Sequence, residues 1–75
     1  MALVLFGRSD CALCRHAEEA LRHADVLAAP IDIDSDTALE VRYGERIPVL
    51  RNEDNGVELD WPFDAYAIRK LCART

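Results

Sequence analysis

Ala2-Leu-Val-Leu-Phe-Gly-Arg-Ser-Asp-Cys-Ala-Leu-Cys14, continued by Arg15-His-Ala-Glu-Glu-Ala-Leu-Arg-His-Ala24, reads as a strand, a loop and a helix in succession. The run Ala2–Phe6 is continuously apolar rather than alternating and stops at Gly7, the pattern of a central strand buried on both faces. From Cys11 to about Ala24, Leu13, Ala17, Ala20, Leu21 and Ala24 recur at helical spacing. Glu18, Glu19 and Arg22 take the opposite side, with Glu18 and Arg22 at the favourable i, i+4 offset. Ser9 or Asp10 can cap the start.

Downstream, Ala29-Pro-Ile-Asp-Ile-Asp34 alternates apolar and charged residues, as a strand nearer the sheet edge does. Ser35 to Tyr43 offers a cap and helix formers before Gly44, which predicts a short helix. Ile47-Pro-Val-Leu50 predicts a third strand, and the Asn55-Gly56 turn folds Val57–Leu59 back as a fourth. Pro62 is expected to open a last helix with Phe63, Ala67 and Leu71 on one face. Asp60 and Asp64 at its start and Arg69, Lys70 and Arg74 at its end suit the helix dipole. The expected order is β-α-β-α-β-β-α. A right-handed parallel unit followed by a hairpin makes a four-stranded mixed sheet with flanking helices, an α/β fold.

The chain has 75 residues, which predicts a single domain over residues 1–75. A formal net charge of -5 with no basic run removes the electrostatic footprint of a nucleic-acid binder or a polybasic membrane-surface site. No segment approaches the roughly 20 apolar residues of a membrane span. Ala2–Phe6 is too short for the apolar region of a signal peptide and has no basic residue before it. The expected location is therefore cytoplasmic. Thiols are kept reduced there, so a Cys pair is more often catalytic or metal-binding than a structural staple. The odd count of 3 cysteines further weakens a disulfide scaffold.

Cys11-Ala-Leu-Cys14 lies directly after a strand and loop, at the opening of a helix. Backbone N–H groups at a helix N-terminus stabilise an anion, which is expected to favour a thiolate at Cys11. Arg8 and Arg15 add positive charge nearby, and Asp10 opposes it. Residues three apart on a helix hold their Cβ atoms about 5–6 Å apart, against roughly 3.8 Å in a relaxed disulfide. The pair can close with local adjustment, and a strained, accessible bridge is readily reduced. In the implied mechanism Cys11 attacks a disulfide and Cys14, one turn deeper, resolves the mixed disulfide. The alternative is a pair of reduced core thiols.

With Cys11-Ala-Leu-Cys14 after the first strand, Arg46-Ile-Pro-Val49 at the third and the Asn55-Gly56 hairpin, the chain resembles the glutaredoxin-like family of the thioredoxin-fold superfamily. It looks most like its small bacterial members. The resemblance implies that Pro48 is cis and sits beside the cysteines, with the backbone of Ile47 presented for strand-like pairing with a substrate. Arg8, three residues before Cys11, stands where these proteins usually carry Lys and could hold a carboxylate. Ala12 and Leu13 replace the usual Pro-Tyr between the cysteines. Asp60 and Trp61 stand where glutaredoxins have Gly-Gly, while Asp64 could keep the acidic role at the last helix. The resemblance thus implies a glutathione pocket with an altered floor, and weak or no specific glutathione binding is expected.

Trp61 either rims a substrate groove or packs under the last helix, packing being the commoner fate. Cys72 reads as a small buried hydrophobe. Cys11, Cys14 and His16 lack a fourth ligand for a structural metal site, and Asp32–Asp36 lacks the glycine and terminal Glu of a Ca²⁺ loop. No metal and no tightly bound cofactor are expected. Three functions compete: a thiol–disulfide oxidoreductase, expected as a monomer acting on protein or low-molecular-weight disulfides; a non-catalytic binding module using Pro48 and Trp61; and a metal or Fe–S carrier. The residues expected to carry the first are Cys11 and Cys14 for catalysis and Arg8, Ile47, Pro48, Trp61 and Asp64 for substrate binding.

Overall fold

A computed structural model describes residues 2–73. Strand β1 (Leu3–Gly7) leads to helix α1 (Ala12–Ala24) and strand β2 (Ala29–Asp32). A single 3₁₀ turn, Ile33–Ser35, precedes helix α2 (Thr37–Tyr43). Strands β3 (Val49–Asn52) and β4 (Glu58–Asp60) form a hairpin, and helix α3 (Ala65–Cys72) closes the order. The sheet runs β2-β1-β3-β4, with β1 and β2 parallel and the other neighbours antiparallel. Both the element order and the mixed sheet are those expected.

The unbroken apolar run of β1 follows from its place between β2 and β3. Its alternate side chains enter two different cores. Leu3 and Leu5 join Ala17, Leu21 and Ala24 of α1, Leu50 of β3, and Phe63, Ile68 and Leu71 around α3. Phe6 faces the other way and packs with Ile33, Tyr43 and Val49. There the Phe6 and Tyr43 rings stack with centroids 4.2 Å apart. With α1 and α3 on one side of the sheet and α2 on the other, even this short chain buries two apolar layers.

Several element ends differ from the sequence reading. Helix α1 closes at Asp25, which adopts the left-handed conformation with φ 58 and ψ 44. The N–H groups of Asp25 and Val26 donate to the carbonyls of Arg22 and Leu21, satisfying the last turn as a Schellman motif does. Strand β2 stops at Asp32 rather than Asp34, because the Asp32 carboxylate accepts the Asp34 N–H at 2.8 Å and turns the chain into the 3₁₀ segment. Asp36, not Ser35, then caps α2. Strand β3 begins one residue after Pro48 and extends to Asn52.

Helix α3 starts at Ala65, not Pro62. Its cap is Asp64, whose carboxylate accepts the Ala67 N–H at 2.9 Å. Pro62 lies outside the helix, and the Trp61–Pro62 peptide bond is cis. Ile68 and Leu71 form the buried face of α3, and Phe63 is buried ahead of it. The expected basic end holds at Arg69 and Lys70; Arg74 lies outside the described residues.

Candidate functional site

The loop after β1 delivers Cys11 in extended geometry, φ -105 and ψ 113, as the N-cap of α1 rather than in its first turn. The cap is the sulfur itself: Cys11 Sγ accepts the Cys14 N–H at 3.2 Å. Neither Ser9 nor Asp10 takes that role. A helix N-terminus leaves its first N–H groups without intrahelical partners, and here one of them is aimed at the Cys11 sulfur. The cap interaction therefore brings the two cysteines into register.

The pair is asymmetric. Cys11 is half-buried, whereas Cys14 is only 6% exposed and belongs to the buried face of α1. Burial pushes the Cys14 thiol up to about 11, reinforced by its side-chain hydrogen bond with Cys11 and by the charges of Cys11 and Glu18. A backbone hydrogen bond from Arg8 pulls the other way. Cys14 therefore holds its proton at neutral pH, while the accessible sulfur is Cys11. A cavity of about 150 Å³ borders Cys14, lined also by Leu5, Gly7, Ser9, Glu18 and Pro30.

Much of the bonding capacity of the other candidate residues is already used within the chain. Arg8 does not extend freely into solvent: its Nε donates to Asp34 at 3.0 Å, linking the end of β1 to the 3₁₀ turn. The Ile47–Pro48 peptide bond is cis, and the Pro48 side chain is fully buried. The Ile47 N–H, expected to face a substrate, instead donates to the Tyr43 carbonyl at 3.1 Å. The end of α2 has captured that donor. The Asp64 carboxylate caps α3.

Trp61 packs partly buried against the larger core, edge-on to Phe63 with ring centroids 5.1 Å apart. It also lies 6.5 Å from the His16 ring, two residues beyond Cys14 on α1. Packing and a position near the cysteine turn are thus both realised. Among the described residues no group of three or more His, Cys, Asp or Glu side chains is placed to hold a metal ion. No helix among them is long and apolar enough to cross a membrane.

Sequence reasoning missed an ion-pair network that ties together the two segments flanking Pro48 and Trp61. Glu58 accepts from Tyr43 Oη at 2.7 Å, Arg46 at 2.8 Å and Arg51 at 3.0 Å. Arg46 also reaches Asp60 at 2.7 Å. Asp60 is therefore bonded across the β3–β4 hairpin to the residue just before Ile47. Burial opposes ionisation of Glu58, but hydrogen bonds from Tyr43, Arg46 and Arg51 outweigh it and hold its carboxyl at about 2. Charge alternation hints at such pairs, yet which arginine meets which acid depends on the hairpin register.

Comparison with known proteins agrees with this architecture. The model of the glutaredoxin-like domain (DUF836) matches residues 2–72. The X-ray structure of Northeast Structural Genomics target protein XcR50 from X. campestris superposes with a TM-score of 0.88 at 48% identity, covering 99% of each chain. The solution structure of the same target gives a TM-score of 0.86 at 49% identity, over 100% of this chain and 96% of that one. A mutant of the thioredoxin-like protein BC3987 shares the fold at a TM-score of 0.67 and 20% identity, over 93% of this chain and 97% of its own. A search of curated proteins gave no match. With a thioredoxin-like fold and a family match over nearly its whole length, the chain belongs to the glutaredoxin-like domain family.

Proposed function

We propose that this protein is a thiol–disulfide oxidoreductase in which Cys11 is the nucleophile and Cys14 the resolving thiol. The observation that carries the reading is the contact between the two: a half-exposed sulfur at the helix cap, hydrogen-bonded at 3.2 Å by the N–H of a buried second cysteine. The Cys11 thiolate attacks a substrate disulfide, forming a mixed disulfide and releasing one substrate thiolate. Cys14 then loses its proton and attacks Cys11 Sγ, releasing the second thiolate and leaving the Cys11–Cys14 disulfide. Two electrons pass to the substrate, and an external thiol restores the dithiol.

The substrate class we favour is a protein or low-molecular-weight disulfide other than a glutathione adduct. The groups expected to grip glutathione are engaged within the chain: Arg8 by Asp34, the Ile47 N–H by Tyr43, and Asp64 by its own helix. Asp60 and Trp61 add charge and bulk where the resemblance to glutaredoxins implies glycines. The proposed setting is the reducing cytoplasm, with the protein acting as a monomer; Trp61 and the Ile47 carbonyl supply the substrate-facing rim.

Trapping tests the reading. Cys14→Ser should hold a disulfide substrate on Cys11 as a stable adduct, whereas Cys11→Ser should trap nothing and form no intramolecular bridge. The parent should lose two thiols on mild oxidation and turn over a disulfide substrate with thiol as reductant. No adduct on Cys14→Ser, together with no turnover by the parent, would sink the proposal.

A further inference from the structure

Gly7 is the last residue of β1, paired in register with Asp32 of β2, and its backbone is not in the left-handed region that favours glycine. Conformation therefore does not require a glycine, and inside a strand glycine is a weak choice. What requires it is Cys14. A Cβ built on Gly7 would stand 2.8 Å from Cys14 Sγ, a distance at which one of the two must shift, and 3.3 Å from Cys14 Cβ, just under the 3.4 Å at which ordinary contact begins. The bare Cα of Gly7 and the backbone of the next residue, Arg8, thus form the seat of the buried thiol. Arg8 hydrogen-bonds that thiol through its main chain.

Resting on the oxidoreductase reading above, we propose that Gly7 is the positioning residue for the resolving thiol: its missing side chain sets where Cys14 Sγ stands relative to Cys11 Sγ. Gly7 touches the second sulfur and not the first, so it acts on ring closure and not on the initial attack. A methyl group at this position displaces Cys14 Sγ from its seat and breaks its alignment with Cys11. The neighbouring cavity of about 150 Å³ gives the displaced sulfur room, so the fold should survive the change.

The two steps can be read separately with 5,5′-dithiobis(2-nitrobenzoate), using Cys72→Ala protein so that only the site thiols report. Attack by Cys11 releases one coloured thiolate and leaves the other on Cys11. Attack by the deprotonated Cys14 on Cys11 Sγ breaks that mixed disulfide and releases the second, its proton going to solvent. In Gly7→Ala we expect the first release within about twofold of the parent and the second slowed about tenfold or more. A second release within twofold of the parent, or equal slowing of both, would overturn the proposal.

Thermal unfolding supplies an independent readout. Gly7→Ala should lower Tm when Cys14 is present and leave it unchanged or raised in a Cys14→Ala background. If Gly7→Ala folds only in that background, the steric assignment stands; if it folds in neither, or costs the same in both, the assignment fails. A parent that releases no second thiolate would refute the oxidoreductase reading itself, and this proposal with it. Normal closure in both the parent and Gly7→Ala would refute the proposal alone.

Discussion

Replacing Glu58 by Gln tests the network that joins the Pro48 and Trp61 segments, because it keeps the shape of the side chain and removes its charge. The carboxyl is held at about 2 instead of an ordinary 4.5. That difference corresponds to roughly 3 kcal/mol of preference for the charged form. The Glu58 side chain is 15% exposed but that of Arg46 is 36% exposed, so solvent screens part of the attraction. We expect a net cost of about 2 kcal/mol at neutral pH. With a urea slope of about 1 kcal/mol/M for a domain this small, the unfolding midpoint of the reduced protein should fall by about 2 M.

The sign of the pH dependence is set by the depressed folded value. The contribution of Glu58 is complete above about pH 4.5 and is lost as pH falls through about 2. The gap between parent and Glu58→Gln should therefore be flat from pH 8 to 5 and close progressively in acid. Equilibrium urea titrations at several pH values between 8 and 3 measure it directly. A neutral-pH gap under about 0.5 kcal/mol, or one that persists undiminished at low pH, would refute the assignment of Glu58 as the hub.

Cys14 predicts the opposite limb. Its folded value of about 11 against an ordinary 9 gives stability that is complete below about pH 9 and lost as pH rises towards 11, roughly 2–3 kcal/mol in all. Urea titrations of the reduced protein under anaerobic conditions should show a steeper alkaline loss in the parent than in Cys14→Ala, which keeps the smaller loss from the buried Tyr43 hydroxyl; equal slopes would count against it. Reduced glutathione at millimolar concentration should leave the backbone amide signals of Arg8, Ile47 and Asp64 unmoved. Saturable changes at all three would show that the internal partners of these groups yield to the ligand.

Patterns that repeat within a few residues were legible. The apolar run of β1, the helical spacing in α1 and the Asn55-Gly56 turn each state a local preference that burial then rewards. Element ends were less legible, because short polar side chains compete for the same backbone donors. Asp32 cut β2 short and Asp64 moved the start of α3 past Pro62, each by a single hydrogen bond of 2.8–2.9 Å. Cys11 itself acts as the cap, a role the local pattern assigns to Ser9 or Asp10.

The sequence by itself determined the order of elements, the two-sided burial of β1 and the placing of two cysteines at the mouth of a helix. All of these follow from the 2- and 3.6-residue periods of backbone geometry. Only the tertiary structure decided which groups remain available there. Arg8 lies 26 residues from the Asp34 that occupies it, and Arg46 lies 14 residues from Asp60. Tyr43 takes the Ile47 donor because α2 ends where it does. The contact of Gly7 with Cys14 is likewise a matter of how β1 and α1 pack. Hydrogen bonds and steric contacts act over a few ångströms, so partners remote along the chain are chosen only once packing has brought them together.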